Sequence, residues 1–313
     1  MQEVGGYIEF GGLINKPYHK NCLDFNSSRN ALKYFIRFNK IKKIYLPFYL
    51  CEVVYRACVD EKCDIVLYHI DKDFMPILDD YDGYSYIYLV NYYGLISNDK
   101  IKKMMNKYKN LIVDNTHSFF QKPVTNSIYN CRKYFGVADG AYLYSNIKKN
   151  DEIEPYVVND KIEHLIGRLE ENAATYYTEF SNNDKKFDKG NIYKMSNFSK
   201  IIMGAIDYKS SYKIRIDNFN YLNEKLKKFQ KLSLPNNLTF MYPLYVDEGK
   251  KVRDYLISKK IYIPKLWPNI VEENNLSKIE LEYINNILPL PIDQRYSKED
   301  MDFIISSLEE KNV

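Results

Sequence analysis

Three side chains that could do chemistry together fall within one short stretch: Asp114, His117 and Lys133. The apolar run Leu111-Ile112-Val113 ends in Asp114 and is followed at once by Asn115, Thr116 and His117. A buried strand looks like this when it delivers polar side chains at its carboxyl end, which is where open α/β sheets bind ligands. Lys133 comes nineteen residues after Asp114, beside Arg132 and ahead of Tyr134-Phe135-Gly136. Ala138-Asp139-Gly140 then turns the chain into a second apolar run, Ala141–Tyr144. A carboxylate, an imidazole and an amine could thus meet at one sheet edge. Pyridoxal phosphate (PLP) catalysis needs that set. The lysine amine forms a Schiff base with the cofactor aldehyde. The carboxylate keeps the pyridine nitrogen protonated, so that the ring acts as an electron sink. The neutral imidazole holds the phenolic oxygen, with Thr116 beneath the ring. Asp and His at strand ends are common, so the set needs support from the elements around it.

Those elements alternate. Asn26, Ser27 and Ser28 are N-cap residue types ahead of a helix that begins at Ala31-Leu32. Free N–H groups at such an end form a ready phosphate site, with Ser27, Ser28, Arg29 and Asn30 as candidates; an ordinary capped helix is the plain alternative. Strands are expected over 44–47, 64–69 and 85–90, and helices over 52–58 and 100–109. Apolar strands in this order predict a mainly parallel sheet covered on both faces. Asn91, at a strand end, either donates to a ligand or caps its turn. His69 reads as structural. Beyond 146 the spacing predicts an amphipathic helix over 159–177, with Leu165, Leu169 and Ala173 on one stripe. A polar loop over 180–190 on the substrate side and helices over 195–205 and 208–232 follow. The last third mixes strands at 238–246, 261–264 and 287–292 with helices at 249–259 and 298–308. The division is residues 1–206 as a large domain, and 207–313 as a linking helix with a small α+β domain.

With 45% hydrophobic and 27% charged residues, the chain is that of a globular protein. The net charge of +4 is small, and its Lys clusters are interleaved with apolar residues, as on solvated helix faces rather than a nucleic-acid surface. No apolar run nears the ~20 residues of a membrane span. The start, MQEVGGYIEFGG, does not read as a signal peptide. Five cysteines, an odd number without CxxC spacing, suggest a reduced, cytoplasmic compartment. No metal site is expected. The 31 Tyr and 16 Phe exceed what one subunit was expected to bury, which favours a symmetric homodimer.

The stretch Val113-Asp114-Asn115-Thr116-His117 with Asn130-Cys131-Arg132-Lys133 resembles the DegT/DnrJ/StrS aminotransferases, a sugar-aminotransferase branch of the fold-type I PLP enzymes. Their pattern runs from an apolar strand into Glu-Asp-x-Ala-His/Gln, then to a strand and the Schiff-base lysine. Further matches are Leu46-Pro47-Phe48-Tyr49, Arg215-Ile216-Asp217-Asn218, Lys265-Leu266-Trp267-Pro268 and, most specifically, Leu288-Pro289-Leu290-Pro291-Ile292-Asp293-Gln294-Arg295-Tyr296. The resemblance covers roughly residues 24–310. It implies a seven-stranded-type, mainly parallel sheet and a homodimer whose partner closes the pocket. It also implies transfer of an amino group from a glutamate-like amino acid to a keto-sugar, usually nucleotide-linked. It places Ser27–Asn30 and Asn130 near the cofactor phosphate, and Asn91, Tyr93, Tyr49 and Trp267 along the substrate cleft. Trp267 could equally be a core residue, and Arg29 could face away. Cys51 stands where some members place a ring-stacking aromatic. Other PLP chemistry, such as decarboxylation or aldol-type cleavage, and a non-catalytic binding module on this fold remain as alternatives. A doubly wound nucleotide-binding protein would need GxGxxG or a P-loop, and neither occurs.

Overall fold

The computed structural model describes residues 16–147, 152–159, 161–172, 174–187, 191–267 and 275–311. The amino-terminal glycine-rich stretch, Ala173, residues 188–190 and Pro268 lie outside the described residues. The chain opens with β1 (Leu23–Phe25), α1 (Ser28–Phe38), β2 (Lys43–Pro47), α2 (Glu52–Asp60), β3 (Asp64–Ile70), β4 (Pro76–Ile77) and β5 (Tyr86–Val90). A 3-10 turn, Tyr92–Gly94, leads to α3 (Asn98–Lys107), β6 (Leu111–Asp114), β7 (Asn126–Asn130) and β8 (Ala141–Tyr144). Helices α4 (Glu163–Glu170), α5 (Tyr177–Lys185), α6 (Asn197–Ala205) and α7 (Tyr208–Leu226) follow. The chain closes with β9 (Met241–Tyr245), α8 (Gly249–Ser258), α9 (Lys278–Asn286), β10 (Ile287–Pro291) and α10 (Lys298–Glu310).

The large sheet has eight strands rather than seven, in the order β1-β8-β7-β6-β5-β2-β3-β4. Its middle, from β3 through β2, β5 and β6 to β7, is parallel, while β8, β1 and β4 pair antiparallel. Asp114 lies beside Val90 on one side and Ile128 on the other. The carboxyl ends of β5 and β6 therefore open at one edge. A second core gathers α7, α8, α10, β9 and β10 around Phe219, Leu244, Leu256, Leu290 and Met301.

Four expectations are corrected. The helix proposed for 159–177 is only Glu163–Glu170, with Leu169 81% exposed, so its stripe is not a buried face. The loop proposed over 180–190 is largely α5, stitched down where Asp184 meets Arg132 at 2.7 Å. No strand forms at 261–264. Helix α9 was missed, because its buried positions include a carboxylate, Glu280, which breaks the apolar period. The surplus of aromatics is mostly absorbed within the chain. Tyr49, Tyr88, Tyr92, Tyr93, Tyr129 and Tyr242 are fully buried, packed ring against ring.

Candidate active site

Strand β6 is buried along its whole length, so Asp114 arrives at the sheet edge on a rigid support. Its Oδ2 accepts a hydrogen bond from the Tyr88 hydroxyl at 2.8 Å, and its Oδ1 accepts from the Thr116 backbone N–H at 2.9 Å. Tyr88 is a site residue that sequence reasoning missed. It sits on the neighbouring strand β5, and one Tyr among 31 carries no local signal.

Three residues on, His117 is buried, and its Nε2 lies 2.9 Å from Lys133 Nζ. Its Nδ1 accepts the Tyr93 backbone N–H at 3.3 Å. That bond assigns the tautomer: with Nδ1 accepting, the neutral ring carries its proton on Nε2. In that tautomer Nε2–H faces Lys133 Nζ, an arrangement that favours the neutral form of the amine. The electrostatics agree. Desolvation, and then the charge of Lys133, holds His117 well below its ordinary pKa. Desolvation also lowers Lys133. The Lys133 side chain is itself exposed. A residue on the wall of a cleft can be open to water while protein crowds its amine, and this position suits a nucleophile that must meet a ligand.

The turn after β5 aims the Tyr93 N–H. Tyr93 has φ 54° and Gly94 φ 84°, both left-handed. The strain on a non-glycine residue is of order 1–3 kcal/mol. At Gly94 a Cβ would press on His117 O and Ser118 Oγ at 3.2 Å, so only glycine suits that contact. Asn91 sits 0% exposed with its amide committed. It donates to Asn115 Oδ1 and Gln121 Oε1, and it accepts from Ile96 N–H. Of the two roles open to it, the structure places it in the turn.

On the far side of Lys133, Asn130 accepts the Lys133 backbone N–H and donates to Ser28 Oγ at 3.0 Å. The first turn of α1 therefore stands beside the lysine. Ser27 is its N-cap, bonded to Asn30 N–H, and no acidic residue occupies that turn. Arg29 pairs with Asp184 at 3.6 Å. Asn30 turns toward Asn26 and the Asn191 carbonyl, beside a separate cavity of ≈ 270 Å³ that also borders Tyr156, Phe187 and Tyr193. Ser27, Ser28 and Asn130 thus lie together near Lys133, while Arg29 and Asn30 point to other partners.

The remaining walls are aromatic. Phe240 stacks on His117 at 4.0 Å, and Trp267 lies nearly parallel to it at 5.5 Å. Tyr49 stacks on Tyr92 and meets Trp267 edge-on at 4.6 Å. Tyr49, Tyr93 and Trp267 are buried together, so they form a packed wall rather than separate open platforms. Cys51 is half-buried at the N-terminus of α2, within electrostatic reach of Lys133, and burial raises its thiol pKa. It supplies no ring and no thiolate nucleophile. Arg215, buried on α7, ties the region to the elements of the second core. It donates to the Tyr134 carbonyl at 3.0 Å, to the Thr239 carbonyl at 2.6 Å and to Gln294 Oε1 at 2.7 Å. Gln294 donates to the same Tyr134 carbonyl. The residue after Lys133 is thereby clamped to the Thr239-Phe240 segment that leads into β9. Together these groups could hold a flat ring with a basic nitrogen at Asp114, an aldehyde at Lys133 and an anionic tail at α1. Among the described residues no three His, Cys, Asp or Glu side chains gather as a metal site would.

No family model matches the chain. No curated protein matches it either. Solved structures do. A DegT DnrJ EryC1 StrS aminotransferase from Brucella abortus superposes with a TM-score of 0.65 at 14% identity, over 93% of this chain and 86% of that one. DesV of S. venezuelae, in complex with a ketimine intermediate, gives 0.65 at 12% identity over 92% and 84%. NtdA from Bacillus subtilis, with bound cofactor PMP, gives 0.67 at 13% identity over 92% and 72%. The chain has the fold of these aminotransferases: a large, mainly parallel sheet with helices and a small α+β unit.

Proposed function

We propose that this protein is a PLP-dependent aminotransferase that moves an amino group from a glutamate-like amino acid to a keto-sugar in nucleotide-linked form. The observation that carries the reading is the Lys133 amine, 2.9 Å from His117 Nε2 at the sheet edge that presents Asp114. The donor set fits the cofactor: an amine for its aldehyde, a carboxylate for its ring nitrogen, and a helix N-terminus with hydroxyls for its phosphate. When bound there, PLP supplies an electrophilic carbon and a ring that stores an electron pair. Lys133 serves as the nucleophile and, once displaced, carries a proton to and from the substrate's α-carbon. Asp114 keeps the proton on the ring nitrogen, with Tyr88 orienting its carboxylate. His117 and Thr116 flank the ring. Ser27, Ser28 and Asn130 hold the phosphate end, with Arg29 and Asn30 behind them. The Tyr49–Tyr93–Trp267 wall bounds the substrate side, and Asn91 steadies it. The sugar as acceptor is supported by a further structural neighbour of the chain, the sugar aminotransferase CalS13 from Micromonospora echinospora.

The working form is a cytoplasmic homodimer. All five cysteines are free, as in a reduced compartment, and no helix among the described residues is long and apolar enough to cross a membrane. Exposed large apolar side chains crowd one short segment: Val157, Ile166, Leu169, Tyr177 and Phe180. Such a patch marks a covered surface. Sedimentation of the PLP-loaded protein should give a dimer that Leu169→Glu weakens; an active monomer overturns this part. The test of the reaction is spectroscopic. Wild type should take up PLP with a visible band that borohydride fixes, and Lys133→Ala should lose both the fixed adduct and turnover. Glutamate or glutamine should bleach the band, and a nucleotide-linked keto-sugar should restore it. A fixed adduct persisting in Lys133→Ala removes Lys133 from the role. Bleaching that no keto-sugar reverses removes the sugar.

A further inference from the structure

Helices α4 and α5 are poorly satisfied where they pack together. Among the described residues, His164 Nδ1, Glu179 Oε2 and Asn183 Oδ1 are buried without a hydrogen-bond partner. Asn183 is 2% exposed and His164 7%, and orphaned polar atoms at that depth are costly. At neither N-terminus does a side chain cap the helix. What holds α5 down is a pair of arginines. Asp184, the residue after Asn183, accepts from Arg132 Nη1 at 2.7 Å and lies 3.6 Å from Arg29 Nη2. The Arg132 and Arg29 side chains are 13% and 10% exposed, whereas the carboxylate between them is 47% exposed. Both guanidinium groups pack over the Phe187 ring, at 4.9 and 5.9 Å from its centroid, and Arg132 also lies over Phe180 at 5.9 Å. Burial would raise the Asp184 pKa, but the charges of Arg132, Arg29 and Lys133 outweigh it and hold the carboxyl below its ordinary range. Two cations fixed by packing therefore converge on one anion, and the anion is the replaceable member of the trio.

The trio adjoins the phosphate end of the candidate active site. Arg29 follows Ser28, whose Oγ accepts from Asn130, and Arg132 stands between Asn130 and Lys133 in the chain. Ser27, Ser28 and Asn130 are neutral, whereas a phosphate monoester carries close to two negative charges at neutral pH. Neutral donors alone leave that charge unbalanced when it is buried. A guanidinium fork supplies the balance and matches the oxygens two at a time. We propose that Arg132, with Arg29, is a receptor for the cofactor phosphate, and that Asp184 is its internal stand-in, giving up the guanidinium groups when the phosphate enters. This rests on the aminotransferase reading above. Release of Asp184 lets α5 reseat, and the orphaned atoms on α4 and α5 mark where its present seating is poorest.

The test uses the full-length protein freed of PLP, as wild type, Arg132→Met, Arg132→Lys and Asp184→Asn. Affinities for PLP and for pyridoxal, which lacks the phosphate, are measured by titrating the visible band, and affinity for inorganic phosphate by calorimetry. Both aldehydes report on Lys133, so their ratio isolates the phosphate. Arg132→Met should cut the preference for PLP over pyridoxal about 30-fold or more, the scale seen when one partner of a buried charge pair is truncated. Pyridoxal binding should be nearly unchanged. If that variant fails to fold, Arg132→Lys, which keeps the charge but loses the fork, should still cut the preference about threefold. Asp184→Asn separates a stand-in from a strut. A stand-in competes with phosphate, so its removal should tighten PLP and inorganic phosphate about fivefold and leave pyridoxal unchanged. A strut that merely orients Arg132 would loosen both, and that result overturns the proposal. An unchanged ratio of PLP to pyridoxal affinity in both Arg132 variants also overturns it and leaves the aminotransferase reading intact. Uridine diphosphate binding to the PLP-loaded protein checks the other source of phosphate. A loss in Arg132→Met confined to that ligand would overturn the cofactor assignment in favour of the nucleotide-linked substrate. Wild-type protein that forms no band with either aldehyde overturns the aminotransferase reading itself.

Discussion

Strands β5 and β6 run parallel and side by side, and each ends in a tight turn at the same sheet edge, yet the two turns have opposite characters. After β5, the polar groups of Asn91 are committed. The Asn91 side chain makes three hydrogen bonds, its backbone N–H meets the Asp114 carbonyl at 3.0 Å, and the left-handed Tyr93-Gly94 pair is wedged against the next turn. After β6, Asp114 has lone pairs to spare and His117 holds its second nitrogen against an amine. A saturated turn braces an unsaturated one. Reactive side chains keep their geometry because the strand beside them has no freedom left, which is the physical content of pre-organisation.

Substitutions can break this contrast. The largest effect should come from Asp114→Asn, which leaves the turns intact and removes the charge. Proton abstraction in a single turnover should slow by at least 10²–10³, roughly 3–4 kcal/mol; near-normal rates would take Asp114 out of the site. Next is acid. His19 lies behind the β6 turn with Nε2 2.9 Å from the Phe119 carbonyl, and desolvation lowers its pKa from 6.5 to about 4. The unfolded chain binds that proton below its ordinary value and the native protein does not. Stability should therefore be constant above pH ~6.5 and fall by about 3 kcal/mol toward pH ~4. Denaturant midpoints measured across that range check it, and an equally steep fall in His19→Gln would assign the loss elsewhere. Asn91→Ala should then cost about 2–3 kcal/mol in unfolding free energy by orphaning buried partners. An unaltered midpoint with a raised KM would instead make Asn91 a substrate ligand. The smallest effect is expected from Tyr88→Phe. Losing one bond to a carboxylate should slow the proton-transfer step by about tenfold, near 1.4 kcal/mol, with PLP affinity nearly unchanged.

The strands and capped helices of the amino-terminal half were legible because each is a local pattern. Apolar runs end in polar or turn residues, and Ser27 and Ser97 cap α1 and α3 by their own side chains. Between residues 159 and 190 the same reasoning failed. There the helices are short and half-exposed, so an apolar period no longer reports burial. Among site residues, Asp114, His117 and Lys133 stood out because they interrupt or follow buried runs. Tyr88 did not, since a phenol in a buried strand reads as ordinary core.

By itself the sequence determined most strands and helices of the amino-terminal half, and which three residues could share a chemistry, because hydrophobic period and capping act over a few residues. Only the tertiary structure decided what surrounds the Lys133 amine and lowers its pKa. That depends on a backbone N–H from another strand end, which reaches His117 through a left-handed turn. Only the fold, too, spent Arg215 on carbonyls and brought Arg29 and Arg132 to one carboxylate. Sequence spacing does not distinguish these arginines, and the difference lies in which carbonyls or carboxylates the packing brings to each.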